Sequence, residues 1–173
     1  MSPRPDAGRR RSLTLGAAWM LAAALPARAL ERPRGPVVLT LTGRLRMPNE
    51  GDRAHFDMDM LAALPQHSFS TRTPWYAQAR RFTGPLLRDV LAAAGAQGTT
   101  LRLVALNDYR VDMPVDDVQR HDVVLARLLD DRPMSVRDKG PLFVIYPFDA
   151  DPALRSAVYY ARSAWQLRTI DVL

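Results

Sequence analysis

The chain has 173 residues, 24 basic against 18 acidic side chains for a formal charge of +6, and no cysteine. That length accommodates one domain with a full core and excludes two comfortable ones. The missing thiol excludes disulfides, thiolate nucleophiles and thiolate-held metals, and His55, His67 and His121 are not paired at ligand spacing, so no metal site is expected.

The excess positive charge lies at the front. Arg4, Arg9, Arg10, Arg11 and Arg28 stand against Asp6 within residues 1–29, leaving 19 basic and 17 acidic residues beyond them. A surface so nearly balanced gives no support to a nucleic-acid partner. Residues 1–29 combine a basic opening, the apolar run Leu13 to Leu25 and the small-residue ending Ala27-Arg28-Ala29, which is the order of a secretory signal. The run is too short to span a bilayer comfortably, so a periplasmic or secreted product with no stable membrane insertion after signal removal is expected. Arg10-Arg11-Ser12-Leu13 also resembles a twin-arginine export signal.

Residues 30–36 read as a linker, and residues 37–173 as one domain. Val37 to Gly43 alternates as a first strand, and the Pro48, Asn49 and Gly51 region is a loop. Asp57 is placed to cap a short helix that Pro65 ends. His67 to Thr73 alternates again and leads into the aromatic corner Pro74-Trp75-Tyr76, whose rings serve packing or ligand stacking. Phe82-Thr83-Gly84-Pro85 is expected to open a second helix with Leu86, Leu87, Val90 and Leu91 on its buried face and Gly95 at its end. Thr99 to Leu106, the turn Asn107-Asp108 and Tyr109 to Met113 read as a hairpin. Val123 to Leu129 is expected as one strand. Asp131 to Asp149 then joins a charged turn, Arg137-Asp138-Lys139-Gly140-Pro141, to the apolar strand Leu142 to Tyr146, putting charge at the mouth of the core. Asp151 and Pro152 cap a short helix, and Trp165 to Leu173 closes with a strand. Few helices lie between successive strands, so the expected class is α+β, with a mixed, mainly antiparallel sheet and short helices.

From Phe82 onward the chain resembles the molybdopterin-binding domain of sulfite-oxidase-type oxidoreductases. The residues that carry the likeness are Phe82 to Leu91, Asn107-Asp108-Tyr109-Arg110-Val111-Asp112-Met113-Pro114, Val123 to Ala126, Pro133 to Pro141 and the closing Trp165. The resemblance implies a sulfite-oxidase-like fold and an exported oxidoreductase domain holding molybdopterin. It implies a catalytic role for Tyr109 at the metal's oxygen and cofactor contacts from Arg137 and Lys139, whose cationic donors suit a phosphate. Arg72, Trp75, Asn107 and Asp108 complete the candidate binding set. The sequence also departs from that pattern. Ser68, Ser70, Thr71 and Thr73 occupy the region of the metal-binding cysteine, and a hydroxyl is a poor substitute for a soft thiolate. Leu142-Phe143 replaces an arginine and Ala164 a lysine. The alternative reading is therefore a non-catalytic periplasmic module that captures a small anionic or aromatic ligand with Trp75, Tyr109, Arg137, Arg72 and Arg162. A small-molecule ligand or cofactor is expected on either reading, and the identity of a redox or signalling partner protein stays open.

Overall fold

The computed structural model describes residues 30–173, so the export signal expected over residues 1–29 lies outside the described residues. Among the described residues no helix is long and apolar enough to cross a membrane. The architecture is mixed α and β, with mostly antiparallel pairing and few short helices.

Among the described residues, eleven strands form three sheets. They are β1 (Val37–Gly43), β2 (Ala54–Asp57), β3 (Gln66–Thr73), β4 (Tyr76–Pro85), β5 (Thr100–Ala105), β6 (Arg110–Pro114), β7 (Val124–Ala126), β8 (Leu128–Leu129), β9 (Arg132–Pro133), β10 (Phe143–Ile145) and β11 (Leu167–Val172). A five-stranded sheet has the order β2-β1-β11-β5-β6, a four-stranded sheet has β3-β4-β8-β9, and β10 pairs with β7 alone. Among these described strands only the β1 and β11 pair, with Thr40 opposite Thr169, runs parallel. Four short helices fill the corners: α1 (Met58–Ala63), α2 (Leu87–Ala93), α3 (Val115–Arg120) and α4 (Ala157–Arg162).

The centre is β10. Phe143, Val144 and Ile145 are all fully buried, with β7 on one side and residues 164–167 on the other. The Val144 amide donates to the Ala164 carbonyl at 2.9 Å, and the Leu167 amide donates to the Leu142 carbonyl at 3.0 Å. A strand apolar on both faces must be enclosed in this way, which is why its sequence is a continuous hydrophobic run.

Several expectations need correction. The second helix begins at Leu87, because Phe82 to Pro85 is the end of the ten-residue strand β4. Alternating exposed Ala77 and Ala79 with Gln78 hides that strand from a hydrophobic pattern; its partner β3 defines it, with Gln66 opposite Pro85 and Thr73 opposite Tyr76. The expected continuous strand from Val123 to Leu129 breaks at Arg127, and its halves join different sheets. Helix α3 has no counterpart in the sequence reading; its six residues show no apolar stripe beyond Val115 and Val118. The Asp151 cap holds a 3-10 turn, Pro152–Leu154, ahead of α4.

Gly84 lies where two layers touch through their backbones. A Cβ at this position would sit 2.0 Å from the Leu125 carbonyl oxygen. Gly84→Ala should therefore lose about 3 kcal/mol, the upper end of overpacking costs, because the opposing atom is main chain and cannot rotate aside. A fall in urea midpoint at unchanged slope would show it.

Asp57 ties the expected linker to the sheet. One carboxylate oxygen accepts the Arg34 and Gly35 amides at 2.7 and 2.8 Å, and the other accepts the Met60 amide of α1 at 2.8 Å. These bonds, the Met60 amide foremost, hold its pKa below the ordinary carboxylate range against the opposing effect of burial. Stability from this group is fully present above the unfolded value of about 3.9 and is lost as pH falls through the lower folded value. The melting temperatures of wild type and Asp57→Asn should differ at neutral pH and converge as pH falls through that lowered value.

Candidate functional site

Two hollows are linked by one contact, Lys139 of the second lying 5.5 Å from the ring of Trp165 in the first. The first, about 300 Å³, is apolar and lined by Trp75, Asn107, Tyr109, Tyr160, Ala161 and Trp165, with Ala105, Ser163 and Ala164 behind them. The second, about 360 Å³, is polar and lined by Tyr76, Arg80, Arg132, Arg137, Asp138 and Lys139, with Leu129, Pro133 and Met134.

The aromatic hollow is built by the two-residue turn between β3 and β4. Pro74-Trp75 reverses the chain and pushes the indole inward, 5.5 Å from the ring of Phe143, 5.5 Å from Trp165 and 6.0 Å from Tyr160. With Phe148 at 6.4 Å as well, four rings pack around the indole, which together with Tyr160 and Trp165 lines the hollow. Trp75 therefore both packs and lines the hollow. Asn107 turns the β5–β6 hairpin by accepting the Tyr109 amide on its own side chain at 3.1 Å. The Tyr109 hydroxyl donates to the Ala161 carbonyl at 2.9 Å, closing one side of the hollow against the last turn of α4.

The cationic hollow begins at Lys139. Its backbone is left-handed, with φ 71°, and its ammonium lies 5.3 Å from the centre of the Tyr76 ring and 5.5 Å from that of Trp165. Trp165 thus belongs to the aromatic hollow on one side and carries the cation of the other hollow. The Gln166 amide donates to the Lys139 carbonyl at 3.0 Å, and the Gln166 side chain donates to the Val136 carbonyl at 2.7 Å, which fixes the charged turn against the strand leaving Trp165.

The candidate residues do not all meet in one place. Trp75, Asn107 and Tyr109 line the aromatic hollow, while Arg137 and Lys139 line the cationic one. Arg72 lines neither: strand alternation buries Thr71 and turns Arg72 to solvent, its amide bonded to Asp149 at 2.9 Å. Asp108 also lies outside both, in a left-handed turn position with its carboxylate paired to Arg168 at 2.7 Å. Arg162 is committed to the interior, donating to Asp117 Oδ2 at 2.8 Å, where the Tyr146 hydroxyl also donates at 2.7 Å. Burial pushes the Tyr146 phenol pKa far up, so it remains a donor to that carboxylate. Sequence reading named Tyr76 with Trp75 in the aromatic corner but missed Tyr160, Arg80 and Arg132 as lining residues, since α4 and the β4 strand that bring two of them here were not resolved by periodicity.

Molybdopterin was tested against these groups. The metal finds no ligand: the chain has no cysteine, and no cluster of three or more histidine or acidic side chains able to hold a metal exists among the described residues. The hydroxyls of the expected ligand region are occupied, Ser68 Oγ lying 2.6 Å from Thr83 Oγ1, and Thr71 Oγ1 accepting the Asp149 amide at 3.0 Å. A thiolate-bound molybdenum centre does not fit this chain. The organic part of such a cofactor fits better, because aromatic walls and cationic donors suit a flat ring with an anionic substituent. No protein-family profile matches the sequence, and no curated protein matches it.

The Asp117, Tyr146 and Arg162 contacts hold α4, and hence Tyr160 and Ala161, against the core. Arg162→Ala should lose about 2–3 kcal/mol, less than a fully buried pair because Arg162 retains some exposure. In urea denaturation the double variant Asp117→Ala/Arg162→Ala should lose less than the two single losses added together.

Proposed function

We propose that this chain is an exported, non-catalytic module that binds a small planar ligand carrying negative charge, on an α+β scaffold of the kind the sulfite-oxidase resemblance implies. The observation that carries the reading is Trp165, one ring shared by an aromatic hollow and a bound ammonium. A hollow of about 300 Å³ stands at the lower end of small-molecule pockets, room for one fused ring system and not for a complete metal-loaded pterin cofactor. Ring faces from Trp75, Tyr160 and Trp165 would grip the guest, the Asn107 side chain would orient it, and Lys139 would select for negative charge.

Of the two readings the resemblance leaves, the binding module is favoured over the oxidoreductase. Oxygen-atom transfer of the kind the resemblance implies uses a thiolate-held metal, and the chain has no cysteine to hold it. Tyr109, the residue expected at the reacting oxygen, already spends its hydroxyl proton on the Ala161 carbonyl. The pterin ring remains the first compound class to test, because the resemblance names it and the cavity matches its size.

Pterin-6-carboxylate should quench the tryptophan fluorescence saturably and raise the melting temperature. An uncharged pterin should bind more weakly, and Lys139→Gln should narrow the gap between the two. If neither compound moves fluorescence or melting temperature, the ligand class is wrong. Equimolar molybdenum in protein purified from its native host would restore the oxidoreductase reading.

A further inference from the structure

We infer that the free edge of β3 is a docking site for an extended, acidic-ended peptide segment of a partner protein, which adds to the four-stranded sheet as a further strand and sets an apolar side chain in the hollow beside it. The inference is independent of the ligand reading, since none of the residues it uses lines the aromatic or the cationic hollow.

Unpaired backbone is the starting point. β3 lies at the edge of its sheet and pairs with β4 alone. On β4 the Thr83 carbonyl accepts the Arg127 amide at 2.9 Å, the Arg81 carbonyl accepts the Asp130 amide at 2.8 Å, and the Arg81 amide donates to the Asp130 carboxylate at 2.9 Å. Arg81 and Thr83 therefore direct their main-chain groups away from β3. In an antiparallel ladder the residues opposite them, Ser70 and Ser68, then direct theirs outward from the sheet. The Arg72 amide keeps the same alternation, and the Asp149 carboxylate takes it at 2.9 Å. No such bond reaches the main chain of Ser68 or Ser70 among the described residues, and both residues are exposed.

An open edge is a template for another strand, and folds ordinarily blunt it with short length, lysine or proline. The other edges of the two larger sheets follow that rule: β9 has two residues and ends in Pro133, β2 has four, and β6 ends at Pro114. β3 has eight residues and neither proline nor lysine.

The space beside the edge says what fits it. A hollow of about 410 Å³ has His67, Ser68 and Phe69 of β3 along one side and Pro147, Ala150 and Leu154 along another. A single added strand lies about 4.8 Å from its neighbour, so an extended segment enters between such walls. The edge of a second folded copy brings its whole sheet and does not. Charged groups of the hollow are already committed within the chain: Arg120 pairs with Asp116 at 3.0 Å, Asp122 with Arg88 at 2.7 Å, and Asp151 accepts the Ala153 amide at 2.9 Å. The side chain received there is therefore apolar. Charge acts at the ends of the edge. Arg72 stands at one end, and at the other Arg127 reaches Gln66 Oε1 at 2.8 Å; neither arginine makes an ion pair among the described residues. Gln66 to Arg72 spans about 20 Å of strand, and the two cations complement acidic side chains at the two ends of the added segment.

The test pans a synthetic library of short peptides, acidic at both ends and free of proline between, against the exported chain and its Ser70→Pro variant. Ser70→Pro deletes an outward amide and leaves the β4 ladder intact, so its melting temperature should stay near that of wild type. Peptides enriched on wild type should bind it saturably in calorimetry, bind Ser70→Pro about tenfold more weakly, and lose affinity when their alternate amides are N-methylated. Ala150→Glu keeps the edge and charges the hollow, and should weaken the same peptides; Arg72→Glu should reduce the preference for an acidic end. Hydrogen exchange should slow at the Ser68 and Ser70 amides on binding. The inference is overturned if no peptide prefers wild type to both Ser70→Pro and Ala150→Glu, or if bound peptides leave exchange at Ser68 and Ser70 unchanged. A dimer of the chain that Ser70→Pro dissociates would give the edge to a second copy, and protection of both amides by residues 1–29 in the full-length chain would give it to that segment; either result also overturns the inference.

Discussion

The indole of Trp165 is the contact on which the candidate site depends. Its backbone pairs with Phe143 of β10, its ring meets Trp75 edge-on at 5.5 Å, and its other side carries the Lys139 ammonium. One side chain therefore couples the innermost strand to the β3–β4 corner and to the charged turn. Large aromatic rings are suited to this because they bury area on several sides at once, and their faces attract cations. The two hollows are neighbours because that ring is common ground between them.

Around it, the fold uses paired polar groups where charge must sit close to the core. Asp117 is nearly enclosed, yet both its partners, Tyr146 and Arg162, reach the same carboxylate oxygen. A buried charge is tolerable only with such partners, and this one positions α4 in return. Asp57 does the same for the chain ahead of β1 by gathering three backbone amides. Against that background the isolated Tyr76 hydroxyl stands apart as the one buried side-chain polar atom without a partner among the described residues.

The residues that carry the sulfite-oxidase likeness do not converge on one hollow. Tyr109 borders the aromatic hollow, whereas Arg137 and Lys139 border the cationic one. The departures from the pattern also fall there, since Phe143 and Ala164 are buried parts of the wall in place of charged anchors. Apolar residues at those positions close the core beneath the site.

Local chemistry was legible in the sequence. The Asp57 cap, the turn at Asn107-Asp108, the left-handed Gly95 ending α2 and the apolar run at β10 are each dictated by a few neighbouring residues, and the structure has them all. The α+β class followed from their order. What the sequence could not show was long-range pairing: β4 is a strand because β3 lies beside it, Val123 to Leu129 divides because its halves serve different sheets, and Arg162 is structural because Asp117 waits 45 residues away. The separation of Arg137 and Lys139 from Tyr109 into two hollows was likewise decided in three dimensions, by a tryptophan whose neighbours come from distant parts of the chain. Propensities and caps act over a few residues, whereas a cavity is made by whichever surfaces packing brings together.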